Sequence, residues 1–180
     1  MINLQKNQTV SLSSMQPGLA QIQCGLGWDV LPEFEADLDV SVFLLNDANK
    51  IPSESHFIFY NNLSGHGVTH MGDNRTGEGD GDDEVVNVNL LVVPQEVTQI
   101  LVVITCATQG VELSSVSNAY VGITDLGSGT PLLNFSISAM GPGSDSLQVG
   151  RVYRDGTEWR FEAMGIPFSG GLEACLGMYA

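Results

Sequence analysis

Residues 72–84 read Gly-Asp-Asn-Arg-Thr-Gly-Glu-Gly-Asp-Gly-Asp-Asp-Glu, six carboxylates and four glycines in thirteen positions against one arginine. Carboxylates this close repel by roughly 1 kcal/mol per pair even at the dielectric of water, and by more beside protein. A chain that sets them on glycine hinges either leaves them solvated or gathers them around a cation. The flanks favour the second outcome. Phe57-Ile58-Phe59-Tyr60 lies upstream and Val85-Val86-Asn87-Val88-Asn89-Leu90-Leu91-Val92-Val93 downstream, both rich in the β-branched and aromatic residues of strands. Solvated acidic tracts are typically tails, whereas this one is pinned at both ends. Hard oxygen donors on a flexible loop suit Ca²⁺, which takes about 6 to 8 of them.

Spacing sharpens the expectation. Glu78, Asp80, Asp82 and Glu84 alternate, with Gly79 and Gly81 between them. In an extended segment such residues share one side. Asp83 breaks the alternation and is expected to face solvent. The register of an EF-hand is not found, and the flanks are strands rather than helices. Asp37 and Asp39 open the run Asp37-Leu38-Asp39-Val40-Ser41-Val42-Phe43-Leu44-Leu45, which places Leu38, Val40, Val42 and Leu44 on one face. Two readings of that pair stay open: it completes the cation site, or it ends the strand in solvent. Asp29 is a further candidate. The expected ligand set is Asp37, Asp39, Asp73, Asn74, Glu78, Asp80, Asp82 and Glu84. So many carboxylates exceed what one ion neutralises, so two Ca²⁺ ions are expected.

The rest of the chain indicates a single domain over residues 1–180, an all-β antiparallel sandwich with short peripheral helices. Strands are expected at Thr9–Leu12, Ala20–Leu26, Leu38–Leu45, His56–Tyr60, Val85–Val93, Ile100–Thr105, Ala119–Thr124, Leu132–Ser138, Leu147–Arg154 and Glu158–Ala163, with helices at Leu113–Ala119 and Gly171–Tyr179. Asp155-Gly156 marks a hairpin. Net charge is −15 with six basic residues, which disfavours nucleic acid, since phosphate contacts need Lys and Arg. No run approaches the ~20 apolar residues of a membrane span. The first residues carry no leader pattern, and Cys24, Cys106 and Cys175, three and widely spaced, read as buried small hydrophobes in a reducing compartment. A cytoplasmic protein is expected.

Several segments together resemble the TerD family of tellurite-resistance and stress proteins: Gly-Leu-Gly-Trp-Asp at 25–29, Asp-Leu-Asp-Val-Ser at 37–41, Phe-Ile-Phe-Tyr-Asn-Asn-Leu at 57–63 and the acidic stretch 72–84. Tyr153-Arg154, Glu158-Trp159-Arg160-Phe161 and Gly170-Gly171-Leu172 extend the resemblance over nearly the whole chain. It implies a calcium-binding β-sandwich, cytoplasmic in bacteria, associated with tellurite and chemical-stress resistance. Some relatives are described as cyclic-nucleotide binders. The chain departs from the family at Cys106-Ala107-Thr108, where His-Asp is common, and at Ser144-Asp145-Ser146, where Glu-Thr-Ala is common. Neither departure touches the acidic loop.

Catalytic signals are thin. Gly25-x-Gly27 lacks the third glycine of a dinucleotide fingerprint, and no P-loop or Gly-x-Ser-x-Gly elbow occurs. His66 and His70, four apart, would form a zinc pair on a helix, but Gly65 and Gly67 disfavour a helix there, so they read as surface loop residues, and His56 reads as structural. The expected function is therefore non-enzymatic: a Ca²⁺-stabilised binding or scaffold module that meets other stress-resistance proteins in a calcium-dependent way. The alternatives are a metal-dependent hydrolase or a small-ligand binder of the cyclic-nucleotide kind.

Overall fold

Period-two alternation of apolar residues decides the architecture, since each half-buried strand needs a second apolar face to cover it. The computed structural model describes all residues except 30–36, 73–81, 107, 109, 114–115 and 138–142. Strands in chain order are β1 (Ile2–Leu4), β2 (Thr9–Ser11), β3 (Gln21–Asp29), β4 (Leu38–Leu45), β5 (Phe57–Ile58), β6 (Ser64–Gly65) and β7 (Val68–His70). They continue with β8 (Glu84–Asn89), β9 (Gln99–Cys106), β10 (Ser117–Asp125), β11 (Pro131–Ser136), β12 (Ser146–Asp155) and β13 (Glu158–Phe168). Among the described residues the α-helices are α1 (Leu12–Met15) and α2 (Gly171–Tyr179), with one 3-10 turn at Glu54–His56.

The strands form an all-β sandwich. The first sheet runs β1-β11-β10-β3-β8-β7-β6 and the second β2-β13-β12-β9-β4-β5. Pairing is antiparallel except for β1, which lies parallel to β11. Leu38, Val40, Val42 and Leu44 of β4 enter the core between the sheets, with Leu26, Val86, Val88, Ile104 and Val121. The other face of β4 carries Phe43 and Leu45, which pack with Phe57, Leu101, Val103 and Cys175 beneath α2. On β13, Trp159, Phe161 and Ala163 turn inward, as alternation predicts.

Where boundaries differ from the expected ones, local chemistry explains it. The chain turns into α1 at Leu12 because the Ser11 hydroxyl accepts the Ser14 N–H at 3.1 Å, an N-cap. The run Val85–Val93 leaves the sheet after Asn89, whose side-chain oxygen takes the Leu91 N–H at 3.1 Å and turns the chain, so Leu91 and Val92 are exposed. Ser117–Ala119 belongs to β10 rather than to a helix. The β12–β13 hairpin turns at Gly156, at φ +62, with Asp155 already paired to Glu158.

Candidate metal centre

The acidic stretch leaves β7 at one end of the sandwich and returns on β8. Asp73, Asn74, Glu78 and Asp80 lie outside the described residues. Of the expected ligands, Asp37, Asp39, Asp82 and Glu84 are described.

Glu84 opens β8 opposite Leu26 and turns into the sandwich, where it is 1% exposed. Its Oε2 accepts the Val40 N–H at 2.6 Å. The short strand β5 pairs with β4 only at Val42 and Phe43, and just past it the Glu84 carboxylate takes the next amide. The carboxylate thus ties the first sheet to the second. His70 Nε2 lies 3.8 Å from Glu84 Oε2, while His70 Nδ1 accepts the Gly72 N–H at 3.0 Å. The Nδ1 side of the ring is thus taken up by the Gly72 amide, and Nε2 is the nitrogen that faces Glu84. His70 is buried on β7. The expectation of a surface histidine is corrected here: Gly67, at φ +86, closes a tight turn and returns the chain to the sheet one strand earlier than the glycines suggested.

Asp82 takes a different position. Its Oδ1 accepts the Tyr120 hydroxyl at 2.8 Å and its Oδ2 accepts Gln23 Nε2 at 3.3 Å. Both donors stand on the outer face of the first sheet, where the Asp82 carboxylate lies over Gly25. Asp82 and Glu84 therefore project to opposite faces, contrary to simple alternation. The chain bends at Asp83, whose N–H bonds Leu26 O at 2.7 Å and whose Oδ2 accepts the Trp28 N–H at 2.9 Å. Asp83 is half-buried against β3 rather than turned to solvent. Its carboxyl is held above the usual range by burial first, with Asp82 and Asp29 pushing the same way against the Trp28 N–H. Tyr120 is likewise raised, by burial, by its bond to Asp82 and by the charges of Asp82, Asp83 and Asp29, and stays protonated. Asp29 accepts Asn118 Nδ2.

Asp39 is 6% exposed and lies on the face of β4 that carries Phe43. Its burial sets aside the reading in which it ends the strand in solvent. Asp37 is half-buried, its N–H bonded to Thr108 Oγ1 at 2.8 Å. No three of the described His, Cys, Asp and Glu residues are grouped to hold a metal ion. The donor set nevertheless suits a hard cation: it is all oxygen, and two of its carboxylates are buried. Lys50, Arg151, Arg154 and Arg160 are engaged elsewhere, with Met178 O, Glu162, the Val93 and Val97 carbonyls, and Glu158. Thiolate chemistry has little support. Cys24 and Cys175 are buried, and burial pushes both thiols up to about 12.

Residues 1–179 match the TerD domain. The chain belongs to the TerD family. It is 37% identical to the tellurium resistance protein TerD of Serratia marcescens over 185 residues, covering 99% of this chain and 96% of that one. It is 40% identical to general stress protein 16U of Bacillus subtilis, covering 95% and 93%. Its fold matches the crystal structure of a homologue of telluride resistance protein (TerD) from Streptomyces coelicolor A3(2), with a TM-score of 0.73 at 17% identity over 88% of this chain and 96% of that one. Within this TerD domain, Gln23, Tyr120 and His70 touch acidic-loop carboxylates and were not expected to. Only their cross-strand register with β3 and β8 brings them there, and the linear sequence does not carry that register. No helix among the described residues is long and apolar enough to cross a membrane.

Proposed function

We propose that this chain is a Ca²⁺-binding, non-enzymatic protein of the stress and tellurite-resistance response. In this reading calcium orders the acidic loop into a surface that other stress-resistance proteins meet. The single observation that carries it is Glu84: a buried carboxylate at the end of a six-carboxylate stretch, spanning both sheets through the Val40 amide. Such a group is costly to bury unless hydrogen-bonded and charge-compensated. The proposed ligands are Asp37, Asp39, Asp73, Asn74, Glu78, Asp80, Asp82 and Glu84. The separation of Asp82 from Glu84 across the first sheet supports two ions rather than one. Bound cations would supply the charge compensation, and the protein would supply oxygen donors from β4 and the residue before it, from the acidic loop and from the start of β8. Relatives named for tellurium resistance and general stress support the physiological setting.

A titration of the metal-free protein with Ca²⁺ by calorimetry tests the reading. Two equivalents are expected at saturation, one equivalent would refute the two-ion count, and absence of heat would refute the reading. Affinity capture from a bacterial lysate in calcium and in chelator tests the association. The proposal expects partners retained only in calcium, and identical sets would leave calcium as a structural staple.

The alternatives find less support. His70 stands beside Glu84, but it is buried and its Nδ1 is already occupied, a poor arrangement for a base that must reach substrate. A cleft of about 400 Å³ is lined by Glu54, Ser55, Phe57, Phe59, Asn62 and Leu176. Its lining mixes apolar and polar side chains and includes the Glu54 carboxylate but no basic group, which disfavours a phosphate-bearing ligand.

A further inference from the structure

Resting on the calcium reading above, we infer that Tyr120 is a positioning residue that fixes the Asp82 carboxylate for its cation, in a cradle cut by Gly25 and Gly27. Three independent features build this arrangement. The first is a bulge. The register of β10 against β3 shifts between Ser117 and Tyr120, with Asn118 at φ +51. Bulges re-aim side chains, and this one sets Tyr120 directly opposite Gly27.

The second is the space over β3. A Cβ at residue 27 would collide with the Tyr120 ring, and a Cβ at residue 25 would collide with the Asp82 carboxylate. Neither glycine is at a positive φ, so conformational freedom does not explain them. Room does: the hydroxyl end of the Tyr120 ring lies over one glycine and the carboxylate over the other.

The third is the bonding. Tyr120 donates to Asp82 Oδ1 and Gln23 to Oδ2, one bond to each oxygen. A carboxylate offers about four lone-pair sites, so one on each oxygen is left for a cation. Both donors are neutral. They orient the carboxylate without cancelling its charge, as an arginine or lysine would. Hydrogen-bond partners of ligating carboxylates typically change metal affinity by ten- to a hundredfold when removed.

The test compares Ca²⁺ titrations and chelator melting curves of the wild type, Tyr120→Phe, Gly25→Ala and Asp82→Asn. Tyr120→Phe keeps the ring and loses only the donor. Gly25→Ala displaces only the end of a flexible side chain. Both should melt in chelator within a degree or two of wild type yet bind Ca²⁺ about tenfold more weakly at one of its sites. In an Asp82→Asn background, Tyr120→Phe should cause no further loss, the coupling expected of a pair that acts as one unit. Wild-type affinity in both single variants would overturn the positioning role while leaving the calcium reading intact. Failure of the wild type to take up Ca²⁺ would overturn both.

Discussion

Glu84 carries two duties that single substitutions can separate. Its carboxylate satisfies the Val40 amide in a buried setting, and in the proposed function it also ligates calcium. Glu84→Ala leaves that amide without its acceptor and should cost about 1–3 kcal/mol of stability in chelator, read by urea unfolding. Glu84→Gln retains an oxygen that can accept from Val40. It should keep most of that stability while weakening Ca²⁺ binding. Equal losses of stability from both changes would show that the charge itself, not the acceptor, holds the sheets. A second residue prediction lies far from the acidic loop. At Gly150, where β12 shifts register, a Cβ would collide with Glu162 O and press on the Phe161 ring. Gly150→Ala should therefore destabilise by about 1–3 kcal/mol, with calcium response unchanged. Asp125 is unsuitable as a neutral control. It accepts Gln16 Nε2, the Gly127 N–H and the Ser128 hydroxyl, and these bonds, Ser128's first, hold its carboxyl below the usual range. Exposed Asp47 is the better control.

At the scale of elements, the edges of the two sheets meet at a histidine pair. His56, just before β5, stacks on His66, in the β6–β7 turn, with ring centroids 3.7 Å apart. Ser53 Oγ bonds His56 Nδ1 at 2.9 Å and Ser55 Oγ at 2.7 Å, and Ser55 Oγ bonds His66 Nε2 at 2.9 Å. Burial first, then His66, lowers the His56 pKa below its ordinary 6.5, against the opposing pull of Glu96, 3.6 Å away. A base with a lowered folded pKa contributes stability that is complete above the unfolded value and is lost as pH falls below it. Melting temperature in chelator should thus fall between pH 7.5 and 5.5, and His56→Gln should flatten that slope. An unchanged slope would assign it to other groups.

The same scale shows what was legible in the sequence. The long strands β4, β9, β12 and β13 were, because apolar alternation, or in β9 a continuous apolar run buried on both faces, outweighs everything local. The strands β1, β6 and β7 were not, since two or three residues carry no period. The bend at Asp83 was also hidden. It follows from a bond between Asp83 and the Trp28 amide, a long-range pairing that spacing cannot encode. The crowding of charge in the acidic stretch is plain in the sequence, but not that Asp82 and Glu84 take opposite faces of a sheet.

For the whole molecule, charge is the governing quantity. A net charge of −15 opposes compaction, and six of the acidic residues crowd into one stretch. Calcium bound to the folded state alone would stabilise by mass action, by about 2.7 kcal/mol at a hundredfold excess over Kd. By linkage, a partner that prefers the calcium form would raise calcium affinity by the same factor. The most direct measurement is the melting temperature of the wild type, Asp80→Asn and Asp47→Asn, each in excess Ca²⁺ and in chelator. A clear rise with Ca²⁺ is predicted for the wild type and Asp47→Asn, and loss of most of that rise for Asp80→Asn. Equal melting of the wild type in calcium and chelator would contradict the calcium reading and leave the stretch a solvated acidic surface.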